Sequence, residues 1–259
     1  MSKTYSAEAI VLKRTNFGEA DRIITFLARD KGKFTAIAKG VRKVASRRAP
    51  NLELLNHIKI YLASGKNLDI ITEAETVDTF KKVKDNLSKV GFGFYLAEIT
   101  NEFLADGQGG KRPFDLLLGS LRLLERELDE ENLKKIARVF EIKFLDALGF
   151  KPQLSVCVKC SKPVEGIVLI SPDTGGLLHK SCLGSHLFVK PISMETLNVL
   201  RIFQNENWNK ISKIDVGNSA NKELEILSRF YLEYLLEKEL KSVQFIKQAN
   251  TIKMKSQQL

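Results

Sequence analysis

Cysteine is scarce in this chain of 259 residues: there are three, all between positions 157 and 182. An odd, clustered set does not make a disulfide framework and points instead to metal ligation. Long apolar runs are missing as well. No stretch of eighteen apolar residues occurs, which argues against a membrane-spanning helix. The first residues, MSKTYSAEAIVLKR, lack the apolar core and small-residue cleavage site of a secretory signal, so a cytoplasmic, soluble protein is expected. The motifs of several enzyme classes are also absent: no H-x-E deaminase signature, no GxxxxGK[ST] phosphate loop, no GxSxG elbow and no acids at metal-binding spacing. A protein without catalytic residues is the expectation. A hydrophobic content of 44% is enough for packed cores.

Acid is scarce in one place. Between Arg29 and Arg48 stand Arg29, Lys31, Lys33, Lys39, Arg42, Lys43, Arg47 and Arg48 against a single acid, Asp30, a net +7 of the chain's +10. The thirteen residues AKGVRKVASRRAP alone hold five cations. A field this concentrated attracts polyanions, whereas an evenly spread excess serves solubility and a charge run with no partner is merely a wet loop.

Period-2 patterning and turn residues divide residues 1–80 into five short strands: YSAEAIVLKR, RIITFLA, FTAIAKG, HIKIYLA and LDIITEAE. Five strands in this length suit a small closed barrel of the OB type, because closure removes exposed edges. The basic run then falls at the end of the third strand and in the loop to the fourth. Gly40 allows the bend and Pro50 restarts an extended path. Barrels of this kind bind nucleic acid across strands 2 and 3 and the adjoining loops. Lys39, Arg42, Lys43, Arg47 and Arg48, extended by Lys31, Lys33 and Arg14, are the candidate phosphate contacts. Phe26 and Phe34 are possible base stackers, although core positions suit them better.

From residue 81 the period becomes helical. Phe92, Tyr95, Leu96, Ile99 and Phe103 share one face, and Phe114, Leu117, Leu118, Leu121, Leu124 and Leu128 form a second stripe after Pro113. Leu133, Ile136, Phe140, Phe144 and Leu148 make a third stripe, and Leu224, Leu227, Phe230, Tyr231, Tyr234 and Leu235 a fourth. The expected divisions are a barrel over 1–80, helices over 81–150 and 191–247 with a ribbon between them at 151–190, and a mobile tail over 248–259. The fold class is α+β and multidomain.

The ribbon reads CVKCSKPVEGIVLISPDTGGLLHKSC. Cys157 and Cys160 form one knuckle; eighteen residues later His179 and Cys182 form another. Two donors three positions apart point inward from one tight turn, so two knuckles joined by a hairpin at SPDTGG deliver four ligands to a tetrahedral ion. Thiolate with imidazole suits zinc. His186 is the alternative fourth ligand, a redox role for the CxxC lacks its usual strand–helix setting, and an iron–sulfur site wants a fourth thiolate. Four protein ligands make a closed, structural site. His57, alone in a strand, is read as structural.

Three segments, AIVLKRTNFGEADRIITFLARDKGKFTAIAKGVRK, FEIKFLDALGFKPQLSVCVKC and SPDTGGLLHKSC, resemble the RecO family of bacterial DNA repair and recombination mediators, in order and across nearly the whole chain. The resemblance implies an OB domain, a helical domain and an inserted zinc ribbon. It implies binding of single- and double-stranded DNA, and annealing of strands coated with single-stranded-DNA-binding protein (SSB). It also implies cooperation with RecR in loading RecA. Lys39, Arg42 and Lys43 match the family's basic motif, and His179 stands where family members often carry a cysteine. An acidic–apolar SSB tail would suit a helical groove with a basic rim at Arg122, Arg126, Lys134, Lys135 and Arg138, where ordinary surface ion pairs explain the charges equally well. The reading from another class is an RNA-binding or ribosome-associated zinc protein, which barrel and ribbon would also suit.

Overall fold

A computed structural model of the chain describes residues 4–166, 168–185 and 188–256. Strands β1 (Thr4–Phe17), β2 (Asp21–Ala28), β3 (Gly32–Ala38), β4 (His57–Ala63) and β5 (Asp69–Asp78) close into a barrel in the order β1-β2-β3-β5-β4. Neighbours pair antiparallel except β3 and β5, which close the barrel through a short parallel ladder, Ala36 with Asp69 and Ile37 with Ile70. All five expected strands are present. Alternation turns Ile24, Phe26 and Ala28 of β2 inward with Ala36 and Ala38 of β3, Ile58, Ile60 and Leu62 of β4 and Ile71 of β5, and these side chains are fully buried. Phe34 packs against this cluster and stacks on Phe26 with ring centroids 5.2 Å apart. Strand parity therefore gives both phenylalanines to the core and removes them as base stackers.

Helices follow: α1 (Lys81–Lys84), α2 (Leu87–Phe103), α3 (Lys111–Arg126) and α4 (Glu130–Ala147). The GFG sequence in α2 has a packing reason. A Cβ on Gly93 would lie 2.7 Å from the Leu55 side chain, and one on Gly91 would lie 3.2 Å from Ile246. The α3 stripe holds through Leu124, but Leu128 lies beyond the helix end and is exposed.

A sheet in the order β6-β8-β7-β9 comes next, built from β6 (Gln153–Cys157), β7 (Val168–Ser171), β8 (Gly176–His179) and β9 (Lys190–Ile192). The expected hairpin joins β7 to β8, with Gly175 at a φ of 75°. Helices α5 (Met194–Asn205), α6 (Trp208–Ile211), α7 (Asn218–Leu236) and α8 (Lys241–Ser256) complete the order. By contacts, residues 1–133 and 240–259 form one unit and residues 134–239 a second.

The segment expected to be a mobile tail from residue 248 instead continues helix α8 as far as Ser256; residues 257–259 lie outside the described residues. Local apolar poverty misleads here because the helix is secured upstream. Glu98 of α2 accepts the backbone N–H groups of Lys241 and Ser242 at 2.9 and 2.8 Å, and Phe94 meets Phe245 with centroids 5.9 Å apart. A nucleated helix then propagates at little cost through residues that would not start one. Among the described residues no helix is long and apolar enough to cross a membrane.

The segment 104–110 lies against the β2–β3 turn. Lys33 N–H donates to the Gln108 carbonyl at 2.7 Å and Gly107 N–H to the Lys33 carbonyl at 2.7 Å. The approach requires Gly32, whose φ is 71° and whose missing Cβ would sit 2.2 Å from the Gln108 oxygen. Gly32→Ala adds left-handed strain of about 1–2 kcal/mol to a direct collision. We expect urea unfolding to show a loss of at least about 2 kcal/mol, together with faster amide exchange at Lys33 and Gly107.

Candidate nucleic-acid interface and metal centre

The basic run follows β3 as the loop of residues 39–49. Gly40 has a φ of 66°, and its N–H donates to the Asp21 carboxylate at 2.7 Å. Arg42 N–H donates to the Ala20 carbonyl at 2.9 Å and the Arg42 guanidinium to the Gly18 carbonyl at 3.1 Å, so the loop is fastened to the β1–β2 hairpin. Arg48 fastens its other end by donating to the carbonyls of Ile71, on β5, and of Lys39, the latter at 2.7 Å. Between these anchors Lys39, Arg42, Lys43 and Arg47 are exposed, and among the described residues no carboxylate pairs with them. A loop fixed at both ends by Asp21, Arg42 and Arg48 while Lys39, Lys43 and Arg47 face water is preorganised for phosphate.

The remaining expected contacts separate from this group. Lys31 and Lys33 lie at the opposite end of the β2–β3 ladder, Lys33 about 17 Å from Ala38 at 3.3 Å per residue. Lys31 Nζ sits 3.2 Å from the centre of the Tyr5 ring, and Lys33 Nζ donates to the Asn101 carbonyl at 2.8 Å. Arg14 pairs with Glu53. Arg29 pairs with Glu8 at 3.3 Å and Asp115 at 3.1 Å. The structure thus gathers Lys39, Arg42, Lys43, Arg47 and Arg48 in one loop and gives Arg14, Lys31 and Lys33 intramolecular partners. Residues 104–110 pack against the β2–β3 turn at the Lys33 end of the strand 2–3 face, the end away from the basic loop. His57 is buried, bonded to Glu8 at 2.8 Å and set edge-on to Phe114. Of the cations proposed to line a groove, Lys135 donates to the Ile214 carbonyl at 2.7 Å and Arg138 pairs with Glu141 at 3.0 Å.

In the second unit, the donor atoms of Cys157, Cys160, His179 and Cys182 all lie within 4.8 Å of one another. The edge of a thiolate tetrahedron around zinc is about 3.7 Å, so these four need only small adjustments to share an ion. The first knuckle is closed by Ser161 N–H on the Cys157 carbonyl at 2.8 Å; the second is the 3-10 turn Lys180–Cys182. His179 Nε2–H donates to the Pro163 carbonyl at 2.9 Å, which fixes the tautomer and leaves Nδ1 facing Cys160 Sγ at 3.4 Å. A ligating histidine held through its other nitrogen is the arrangement that metal sites use. Burial raises the Cys157 thiol pKa, but N–H groups of His179, Cys160 and Lys159 outweigh it and bring the value down to about 6, so the thiolate forms readily. The bond to Cys160 raises His179, and desolvation raises Cys182. The residues fit a metal ion. His186, the alternative ligand, lies outside the described residues.

The family models for Recombination protein O N terminal and Recombination protein O C terminal match residues 1–80 and 84–244. Among curated relatives, the DNA repair protein RecO of Roseiflexus sp. (strain RS-1) is 34% identical over 245 residues, covering 94% of this chain and 85% of the relative. That of Dehalococcoides mccartyi (strain CBDB1) is 32% identical over 92% of this chain and 93% of its own length. That of Pelotomaculum thermopropionicum is 31% identical over 94% of each.

Proposed function

The chain belongs to the recombination protein O family, a family of DNA repair and recombination, and on that premise we propose that it is a non-enzymatic mediator that binds single- and double-stranded DNA and anneals complementary strands. The observation that carries the reading is the anchored basic loop. Lys39, Arg42, Lys43 and Arg47 contact phosphates, and Arg48 sets the loop's shape. Cations without an array of base-reading side chains give little sequence preference and a strong salt dependence. Annealing requires two polyanions to approach, and a surface that neutralises one of them within a Debye length of about 8 Å lowers that repulsion without any bond-making residue. Contacts with SSB bring the surface to coated strands, and RecR joins it in loading RecA onto them. The ribbon holds one structural zinc through Cys157, Cys160, His179 and Cys182, which stabilises the fold and supplies no reaction.

The test is annealing of complementary strands coated with SSB, without nucleotide cofactor. Faster annealing with no strand cleavage is the expected result. Divalent-ion-dependent cleavage, or binding that matched RNA outcompetes clearly, would replace this reading with a nuclease or an RNA-binding protein.

A further inference from the structure

Phe17 ends β1 and is 52% exposed, although burying so large an apolar ring would stabilise the fold. It sits at the β1–β2 turn that the basic loop grips. The Arg42 guanidinium rests on the carbonyl of Gly18, the next residue, and Asp21, the β2 partner of Phe17 in register, accepts the Gly40 N–H. One exposed aromatic ring therefore stands on the turn that these contacts join to the basic loop. Phe26 and Phe34, the aromatics that the strand pattern offered, are turned into the core. We propose that Phe17 is the stacking platform of the DNA site, taking an unpaired nucleobase while Arg42, Lys43 and Arg47 hold the flanking phosphates. Every base has a π face, so such a platform adds affinity without reading sequence. It also confers a preference that the cations alone cannot give. In a duplex the base faces are already stacked, so Phe17 distinguishes single strands from double strands. The inference rests on the DNA-binding reading and adds a residue and a strand preference to it.

The experiment compares the full-length wild type with Phe17→Ala and Phe17→Trp on a twenty-nucleotide oligothymidine, on an abasic strand of the same length and on a duplex, each over a salt series. Phe17 is exposed, so the variants should keep the wild-type melting temperature. Phe17→Ala is expected to bind oligothymidine about tenfold more weakly with an unchanged salt slope, to bind duplex and abasic strand as the wild type does, and to be restored by tryptophan. Equal affinity of Phe17→Ala and wild type for oligothymidine, or an equal loss on duplex, overturns the proposal. A wild type that binds none of the three would instead refute the DNA-binding reading itself.

Discussion

Neutralising Lys39, Arg42, Lys43 and Arg47 together with glutamine is expected to weaken single-stranded DNA binding by about two hundredfold at 0.15 M salt. Each phosphate contact contributes about 0.7 to the slope of log K against log salt for single strands, so losing four removes about 2.8. Between 0.15 M and 1 M, where counterion release loses its force, that slope amounts to a factor of about 200. Reversal to glutamate should cost more, since repulsion replaces attraction. Folding should be little changed, because these side chains are exposed and the loop's anchors are backbone groups, Asp21 and Arg48; only the Arg42 bond to Gly18 is lost. Arg48→Gln behaves differently. It removes charge-assisted bonds to two carbonyls, each worth about 1.5–3 kcal/mol, so it should lower stability as well as binding. Fluorescence anisotropy over a salt series, paired with urea titration, separates the two effects. An unaltered slope in the fourfold variant would remove the loop from the DNA site.

Loss of the metal should have the largest effect on stability. A ligand present at a thousand times its dissociation constant adds about 4 kcal/mol to the folded state. For a chain of this size that corresponds to about 8–16 °C in melting temperature. Elemental analysis of the purified protein should find about one zinc per chain. Chelation, or Cys157→Ser with Cys160→Ser, should abolish it and lower the melting temperature by that amount, with early loss of amide protection in β6 to β8. Acid should act in the same direction: metal binding requires thiolates and a neutral imidazole, and the raised His179 makes proton competition begin at higher pH. A wild type free of metal yet equally stable with and without chelator would contradict the assignment.

The barrel was legible because its strands obey period 2 and lie between turn residues, and β2 and β4 coincide almost residue for residue with RIITFLA and HIKIYLA. The clustering of Cys157, Cys160, His179 and Cys182 was legible from spacing, since each pair of donors three positions apart sits on one tight turn. What escaped was long-range. Arg14 and Lys33 look like any other cations in the sequence, but one meets Glu53 and the other a carbonyl 68 positions away. The parallel closure of β3 on β5 and the docking of α8 on α2 depend on contacts that no local window contains. Phe17 was hidden for a different reason. A turn sequence such as FGEADR shows where the chain reverses, but not that the reversal would be clamped beside the basic loop.

The most direct measurement is where DNA touches the protein. A photo-crosslinking amino acid placed at Val44, fully exposed in the basic loop, or at Lys31, at the far end of the β2–β3 ladder, reports each location separately. The account predicts that single-stranded oligonucleotides of any sequence crosslink through position 44 and not through position 31. Crosslinking confined to position 31, or equal at both, would contradict it.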